Sequence, residues 1–505
     1  MGQIAVDRAG YSVSIPAMFS RIMLSRLGVA AALGVALQSQ ADVKLPAIIG
    51  SHMVLQRGVE CPIWGWADAG EKVSVSFAGQ QHSTTANKAG KWSVKLKALK
   101  ASAKGRVLTV KGKNTLKLED VVVGEVWLCS GQSNMEWSVT RSANPQEEIK
   151  NGNHPRIRHI KIGRQPSFEV QADALSNTGW QQASSATVGN FTAVGYYFAR
   201  HLMNELDVPI GLIGSNWGGT RIEPWTPPVG FQSVPALKAS ITDKLDTFPA
   251  KRRVKDRKTG KVRETVNHQS PLALYNGMIA PLVPYAIKGA LWYQGESNNG
   301  EGMLYHEKMK ALIAGWRKLW SNPNLPFYFV QLAPFTYTRG NNSREFQLPG
   351  IWQAQLATLS VPNTGMAVTT DIGHLKDIHP KNKQDVGKRL ARWALAKDYG
   401  KKGVVYSGPL YQSHKADGSN LVVNFSETGS GLKSLDGKAL THWEIAGADG
   451  EFKRAVAKIK GNTVVVASDA VANPKEVRFG WHETAEPNFG NKEGLPASPF
   501  NTAFR

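Results

Sequence analysis

The stretch "VVVGEVWLCSGQSNMEW", residues 121–137, joins an apolar run to an unusual polar cluster. Its first nine residues are mostly valine and other apolar types, which is typical of a strand buried on both faces of a sheet. Gly131, Gln132, Ser133 and Asn134 follow directly. Because ligands bind at the carboxyl ends of parallel strands in open α/β sheets, this position favours a reactive hydroxyl over a plain turn residue.

Beyond this stretch, strand-like apolar runs alternate with segments of helical periodicity. The apolar runs are at 209–216, 289–297 and 327–334, and the helical segments are at 191–206, 303–320 and 383–400. Such alternation predicts a parallel sheet covered by helices on both faces, an α/β/α core of three layers.

The chain is predicted to contain three folded domains, since its 505 residues exceed what one hydrophobic core usually organises. Residues 42–122 and 401–505 consist of short alternating runs separated by turn residues, which predicts a small β domain on each side of the core. The core domain is expected over 123–400. Residues 226–280 interrupt its alternation and are interpreted as an insertion.

Residues 1–41 have the pattern of an export signal. Arg21 and Arg26 precede an apolar run at 27–37, and Ala41 offers a small residue for cleavage. The run is too short to span a bilayer. We therefore expect an exported protein, periplasmic or secreted, with no stable membrane insertion.

The composition bears on several other classes. There are 61 Lys and Arg residues against 39 Asp and Glu, a net charge of +22. The excess is diffuse except at 251–263, and no nucleic-acid-binding motif accompanies it, so no nucleic-acid partner is predicted. The run at 251–263 is interpreted as a solvated insertion, with attraction to acidic sugars as the alternative. Cys61 and Cys129 are too few for a disulfide scaffold, and whether they pair stays open.

Polar clusters follow four of the predicted strands. They are "SGQSNMEW" at 130–137, "GSNWGGTRIEPW" at 214–225, "WYQGESN" at 292–298 and "DIGHLKDIHPKNK" at 371–383. Since parallel strands end at one edge of a sheet, the clusters should converge there.

Together the clusters hold the groups that acyl transfer requires: a nucleophile, a base, a group that orients the base, and donors for the oxyanion. These are the Ser133 hydroxyl, the His379 imidazole, the Asp377 carboxylate, the backbone at Gly218 and Gly219, and the side-chain amides of Gln294 and Asn298.

The four blocks, in this order, resemble those of sialate O-acetylesterases. These are SGNH (GDSL-type) hydrolases, in a branch related to acetylxylan esterases, and the resemblance covers roughly residues 42–500. It implies a flavodoxin-like α/β/α core flanked by N-terminal and C-terminal β-sandwich-like domains. It also implies removal of O-acetyl groups from sugars through an acetyl-serine intermediate, with no cofactor.

The resemblance also implies particular roles. Ser133 corresponds to the nucleophile, and its own N–H to one oxyanion donor. Gly219 corresponds to the second donor, with Gly218 as the alternative. Gln294 corresponds to the third, where many SGNH enzymes use Asn. His379 corresponds to the general base.

The acid that orients the base is open. The wider SGNH pattern is Asp-x-x-His, but Asp377 stands only two residues before His379. A literal Asp-x-x-His exists earlier in the loop, at Asp371 and His374. We favour Asp377 because "DIHPKNK" matches the family's own variant. Glu296, or a dyad without an acid, is the alternative.

Several neighbouring residues are candidates for sugar contacts. They are Arg221, Glu223, Trp225 and His374. Trp225 suits core packing equally well, since an indole fits either setting. No HExxH pattern is present, so no catalytic metal is predicted.

Two rival functions remain at this point. An acetylesterase acting on xylan or another plant polysaccharide would share the same four blocks. A non-catalytic glycan-binding protein would need neither Ser133 nor His379 in reactive positions. The oligomeric state is left open.

Overall fold

The computed structural model describes residues 42–255, 259–338 and 344–504, so the predicted export signal at 1–41 lies outside the described residues. The N-terminal part is made of strands. They are β1 (Val54–Gln56), β2 (Cys61–Trp66), β3 (Lys72–Phe77), β4 (Gln80–Thr85), β5 (Lys91–Leu96), β6 (Ser102–Lys111) and β7 (Thr115–Gly131).

The central part alternates strands and helices. Its strands are β8 (His154–Lys161), β9 (Trp180–Ala183), β10 (Ile210–Asn216), β11 (Lys251–Lys255), β12 (Val262–Val266), β13 (Gly289–Tyr293), β14 (Phe327–Val330) and β15 (Thr364–Ala367). Its helices are α1 (Ser133–Glu136), α2 (Pro145–Lys150), α3 (Ala193–Leu206), α4 (Pro228–Gln232), α5 (Leu304–Leu319), α6 (Gln347–Thr358) and α7 (Lys383–Lys397).

The C-terminal part returns to strands. They are β16 (Leu410–Asp417), β17 (Asn420–Ser426), β18 (Leu432–Ser434), β19 (Trp443–Ala446), β20 (Lys453–Arg454), β21 (Val456–Lys460), β22 (Thr463–Ala467), β23 (Glu476–Phe479), β24 (Phe489–Asn491) and β25 (Phe500–Asn501).

Strand β7 belongs to both the N-terminal and the central part. Its first half pairs antiparallel with β6, and its second half pairs parallel with β10 and β13. Its burial changes from alternating over 115–120 to complete over 121–131. One strand therefore spans the boundary that the sequence places after residue 122, and one hydrophobic core continues across it.

The central sheet confirms the predicted parallel α/β arrangement. Its order is β15-β14-β13-β7-β10-β8-β9, and only β9 runs antiparallel to its neighbour. Strand β7 lies in the middle, and the chain places later strands on both sides of it. The carboxyl ends of β7, β10 and β13 therefore meet at the switch point where α/β proteins bind ligands.

Helices cover both faces of this sheet. The Trp127 ring of β7 packs edge-on against Phe198 of α3, at 4.9 Å between ring centroids. Ser130 of β7 points to the face of the sheet opposite to Trp127, and Trp292 of β13 pairs with Ser130. The Trp292 ring therefore lies on that second face, where it packs 5.9 Å from the Trp316 ring of α5. Helix α7 packs on α3, and α4 and α6 pack on α5. The predicted three layers are therefore present.

The C-terminal part confirms the predicted β-rich region. It contains two four-stranded sheets, β16-β17-β22-β21 and β20-β19-β23-β25. They enclose a hydrophobic core separate from the central one. Trp443 lies at the centre of an aromatic cluster in this core, with Phe425, Phe479 and Phe489 around it.

Two further observations concern the expectations from composition. Cys61 and Cys129 are buried free thiols, which answers the question of their pairing, and burial raises the pKa of Cys61 to about 12. Within the described ranges, no helix has both the length and the apolar character needed to cross a bilayer.

Candidate active site

Ser133 is the first residue of α1 and follows the end of β7 after a single intervening residue. The turn depends on Gly131, whose φ is +133° and where a Cβ would meet the Tyr293 carbonyl oxygen at 2.2 Å. The backbone N–H of Gln132 donates to that same carbonyl at 2.9 Å. The neighbouring strand β13 therefore fixes the turn that presents the Ser133 hydroxyl at the edge of the sheet.

The structure brings His379 to Ser133. The two residues are 246 positions apart in the sequence, and Nε2 of the imidazole lies 2.8 Å from the serine Oγ. The Trp137 ring stacks on the imidazole, with 4.4 Å between centroids and 10° between planes. The Trp137 Nε1–H donates to the Arg141 carbonyl at 2.7 Å, which holds the indole in place.

Asp377 lies next to the imidazole without bonding to it. Its Oδ1 accepts the backbone N–H of His379 at 2.9 Å. The same oxygen is 3.7 Å from Nδ1 of the ring, which exceeds hydrogen-bond length. In this conformation Asp377 holds the backbone of the loop.

The literal Asp-x-x-His of the sequence serves other purposes. Asp371 forms a two-pronged ion pair with Arg389, at 2.7 and 2.6 Å. His374 is exposed, and its Nδ1 accepts the backbone N–H of Lys376 at 3.2 Å. Both residues therefore shape the loop and do not form a pair with each other.

A buried set of polar side chains, here named the base-side network, connects Ser133 to the His379 loop. It consists of Asn134, Glu296 and Lys383. The Asn134 Nδ2 donates to Glu296 Oε1 at 2.6 Å and to the Ile378 carbonyl at 3.0 Å. Its Oδ1 accepts from Lys383 Nζ at 2.6 Å. Asn134 thus ties the residue after Ser133 to the residue before His379.

The base-side network also sets the electrostatics of the imidazole. Burial lowers the pKa of Lys383 to about 7, against the pull of Glu296 and Asp377. Burial raises the pKa of Glu296, whose Oε2 has no hydrogen-bond partner among the described residues. Burial first, and then the charge of Lys383, lower the pKa of His379 below its ordinary value. The imidazole is therefore neutral near pH 7, the form that accepts a proton.

A second set, the turn-side network, supports the turn after β10. It consists of Glu136, Lys161 and Arg164. Glu136 accepts the backbone N–H of Gly218 at 2.8 Å and two bonds from Arg164, at 2.8 and 2.9 Å. Lys161 lies 3.5 Å from the same carboxylate. Gly218 packs closely on Ser133, since a Cβ on it would lie 3.2 Å from the serine Cβ.

The number of predicted oxyanion donors that remain available is therefore smaller than expected. The Gly218 N–H already bonds to Glu136, which corrects its assignment as a possible donor. Gly219 has a φ of +75° and open space where a Cβ would stand. Of the predicted backbone donors, the N–H groups of Gly219 and of Ser133, at the start of α1, have no acceptor among the described residues.

The side-chain amides of the third block correct two further predictions. Gln294 is fully buried, and its Nε2 donates to Gln132 at 3.1 Å, to the Thr220 carbonyl at 3.1 Å and to Asn298 at 2.8 Å. The Asn298 Nδ2 donates to two carboxylates at 3.1 Å. Both amides face the interior and brace the turns, so neither is free to bind an oxyanion.

Two of the four predicted sugar contacts, Glu223 and Trp225, are buried. Trp225 is 0% exposed, and its Nε1–H donates to Thr220 at 3.0 Å, so core packing is its role. Glu223 is buried and forms an ion pair with Lys308 at 2.6 Å. Arg221 is partly exposed and is paired with Glu301. These three residues therefore support the turn after β10.

The sequence reasoning missed Asn134, Glu136, Trp137 and Lys383 as functional residues. All four lie inside the quoted blocks at 130–137 and 371–383, which was a usable signal. What the sequence does not contain is their direction: Asn134 and Lys383 point inward to each other, whereas Trp137 points at the imidazole.

Comparisons with known proteins agree with this arrangement. A model of the family described as carbohydrate esterase, sialic acid-specific acetylesterase, matches residues 123–396. The sialate O-acetylesterase of Rattus norvegicus is 31% identical over 436 residues, covering 76% of this chain and 78% of the relative. That of Homo sapiens is 33% identical over 403 residues, covering 73% of each. The crystal structure of a carbohydrate acetylesterase from Xanthomonas citri matches with a TM-score of 0.81 and 37% identity, covering 91% of this chain and 99% of that one.

Proposed function

The chain belongs to the sialic acid-specific acetylesterase family and is a carbohydrate O-acetylesterase, and we propose that it removes O-acetyl groups from sialic acids through an acetyl-serine intermediate. The observation that carries the mechanism is the 2.8 Å contact between Ser133 Oγ and His379 Nε2. This is the geometry in which a neutral imidazole takes the proton of an attacking hydroxyl.

In the first half of the reaction, Ser133 Oγ forms a bond to the acetyl carbonyl carbon while its proton passes to His379 Nε2. The bond between that carbon and the sugar oxygen then breaks, and the sugar oxygen takes the proton from the imidazolium. In the second half, water repeats these steps on the acetyl-serine. Acetate leaves, and the proton returns to Ser133.

The oxyanion that forms in each half needs donors placed beside the nucleophile. We assign this role to the backbone N–H groups of Ser133 and Gly219. One well-placed donor is typically worth about 3 kcal/mol in the transition state. Asp377 is assigned to the imidazolium, because it is a carboxylate 3.7 Å from Nδ1 and the charge on the ring would attract it.

Sialic acid as the sugar rests on two supports. The similar proteins from Rattus norvegicus and Homo sapiens are named sialate O-acetylesterases. The net charge of +22 favours an acidic substrate over a neutral one. The same proposal includes export. The signal predicted at 1–41 would place the enzyme outside the cytoplasm.

The test compares substrates and removes the nucleophile. Acetate release is measured from O-acetylated N-acetylneuraminic acid and from acetylated xylan, with wild type and with Ser133→Ala. We expect a higher kcat/KM on the sialic acid and a loss of about 10⁴-fold or more in the variant. A higher value on xylan would contradict the substrate proposal. Full turnover by a correctly folded Ser133→Ala protein, checked by circular dichroism, would contradict the mechanism.

A further inference from the structure

Trp217 follows β10 directly and carries two side chains on its ring. The His268 imidazole stacks on it, with 4.7 Å between centroids and 13° between planes. The Arg164 guanidinium lies 5.2 Å from the ring centroid. Gly218, the next residue, is the one that packs on Ser133. The stack therefore stands at the rim of the site that holds the nucleophile.

His268 belongs to the segment 226–280, and a hydrogen bond fixes that segment to the site. The Nε2 of Gln269 donates to the Gly219 carbonyl at 2.8 Å, and its Oε1 accepts the Arg221 N–H at 3.1 Å. The segment therefore lines the site beside the proposed oxyanion donors. The sequence predicted an insertion at 226–280, with its basic run at 251–263 either solvated or attracted to acidic sugars.

Arg164 has donors left for a ligand. Among the described residues its hydrogen bonds all come from Nη2 and all go to Glu136. A guanidinium has five N–H donors, and the side chain is 51% exposed. Its remaining edge is thus open to solvent next to the Trp217 ring.

A second cation approaches from the hairpin formed by β11 and β12. The two strands carry five basic residues and one acid, which are Lys251, Arg252, Arg253, Lys255, Arg263 and Glu264. Glu264 is paired with Lys251 and Arg253. Arg252 is exposed and pairs on the hairpin with Thr265, three residues before His268. After burial, its charge contributes to lowering the pKa of the His268 imidazole.

We infer that Arg164, Arg252 and the Trp217–His268 stack form a cationic subsite that binds the carboxylate of an acidic sugar whose acetyl group lies at Ser133. The inference rests on the proposed function and names the part of the site that selects the substrate. A guanidinium matches a carboxylate with two parallel N–H donors. A neutral sugar such as xylan would gain nothing from the two cations.

The experiment compares two forms of one substrate. Acetate release is measured from O-acetylated N-acetylneuraminic acid as the free acid and as its C1 methyl ester, which removes the charge and keeps the acetyl group. We expect wild type to prefer the free acid at least about tenfold in kcat/KM, the usual effect of a hydrogen bond to a charged group. In Arg164→Gln and Arg252→Gln the ratio should fall toward one. Arg253→Gln, a neighbour on the same hairpin, is the control and should keep the ratio of wild type.

The outcomes separate the two proposals. No acetate from either form would overturn the sialic acid proposal and the subsite with it. Equal release from both forms by wild type, or a ratio unchanged in both variants, would overturn the subsite alone. Arg164 also holds Glu136, so a fall on both forms by the same factor in Arg164→Gln, with an unchanged ratio in Arg252→Gln, would assign Arg164 to positioning and likewise overturn the subsite.

Discussion

Ser133 stands between two polar networks that differ in their access to water. In the base-side network, Asn134 is 1% and Lys383 is 0% exposed. In the turn-side network, the side chains of Glu136 and Arg164 are 24% and 51% exposed. Each network links the serine to another catalytic element, the first to the His379 loop and the second to the turn at Gly218 and Gly219.

The difference in burial decides how much each network is worth. A buried donor or acceptor that loses its partner keeps its full desolvation cost, because water cannot replace what was removed. At a half-exposed ion pair, water replaces the lost partner and the effect is small. The same kind of truncation should therefore be far more harmful on the base side of Ser133 than on the turn side.

The largest effect is expected for Asn134→Ala. The substitution leaves Glu296 Oε1, Lys383 Nζ and the Ile378 carbonyl without their partner. The His379 loop then loses its tie to α1, and misplacement of a catalytic group by about 1 Å can reduce the rate by about 100-fold. We expect kcat with 4-nitrophenyl acetate to fall by that factor, and the free energy of unfolding to fall by about 3 kcal/mol.

A matched control separates positioning from stability. Asn488 is another buried asparagine, and its Nδ2 donates to Ser434, Asp436 and the Ala439 carbonyl in the C-terminal part. Asn488→Ala should lower the free energy of unfolding without lowering kcat. If the two variants lose stability alike and both retain kcat, the base-side network has no role in placing His379.

A smaller effect is expected for Glu136→Ala on the turn side. The Gly218 N–H loses its acceptor, but Glu136 is partly exposed, so water can take its place. We expect kcat with 4-nitrophenyl acetate, a neutral ester, to fall by about tenfold, with less than about 1 kcal/mol lost in the free energy of unfolding. A loss as large as that of Asn134→Ala would show that burial is not what separates the two networks.

The same contrast explains which parts of the site the sequence predicts. Ser133 and His379 could be predicted because each is a reactive residue that follows a predicted strand or lies in the loop after one. The ends of parallel strands converge at one edge of the sheet. Gln294 and Trp225 have equally suitable chemistry and equally suitable positions, yet both side chains are fully buried. The direction of a side chain is decided by neighbours that are distant in the sequence. The Gln294 amide, for example, donates to Gln132, which is 162 positions away along the chain.

The fold follows a similar division. The complete burial of 121–131 and of β10 was readable from runs of apolar residues, and so was the parallel sheet. The extent of β7 was not, because a strand can change from alternating to complete burial without a turn residue to mark the point. The packing of residues 226–280 on the site was also hidden, since it depends on contacts between residues distant in the sequence, such as the hydrogen bonds that join Gln269 to Gly219 and Arg221.

The smallest effect that we predict is a shift in the pH profile of Lys383→Met, which is separate from the loss of kcat that follows when Asn134 loses its Lys383 partner. The general base must be neutral, so kcat/KM falls as the pH drops through the pKa of His379. Burial and the charge of Lys383 place that pKa below its ordinary value, and Lys383, with a pKa of about 7, is charged at the acidic pH concerned. Removing the charge should raise the pKa of His379 and move the acidic limb to higher pH. Lys381→Met, at an exposed lysine two positions away, should leave the limb in place. A limb that stays fixed in Lys383→Met, or moves to lower pH, would mean that the buried amine does not act on the imidazole. The base-side network would then serve only to hold the loop.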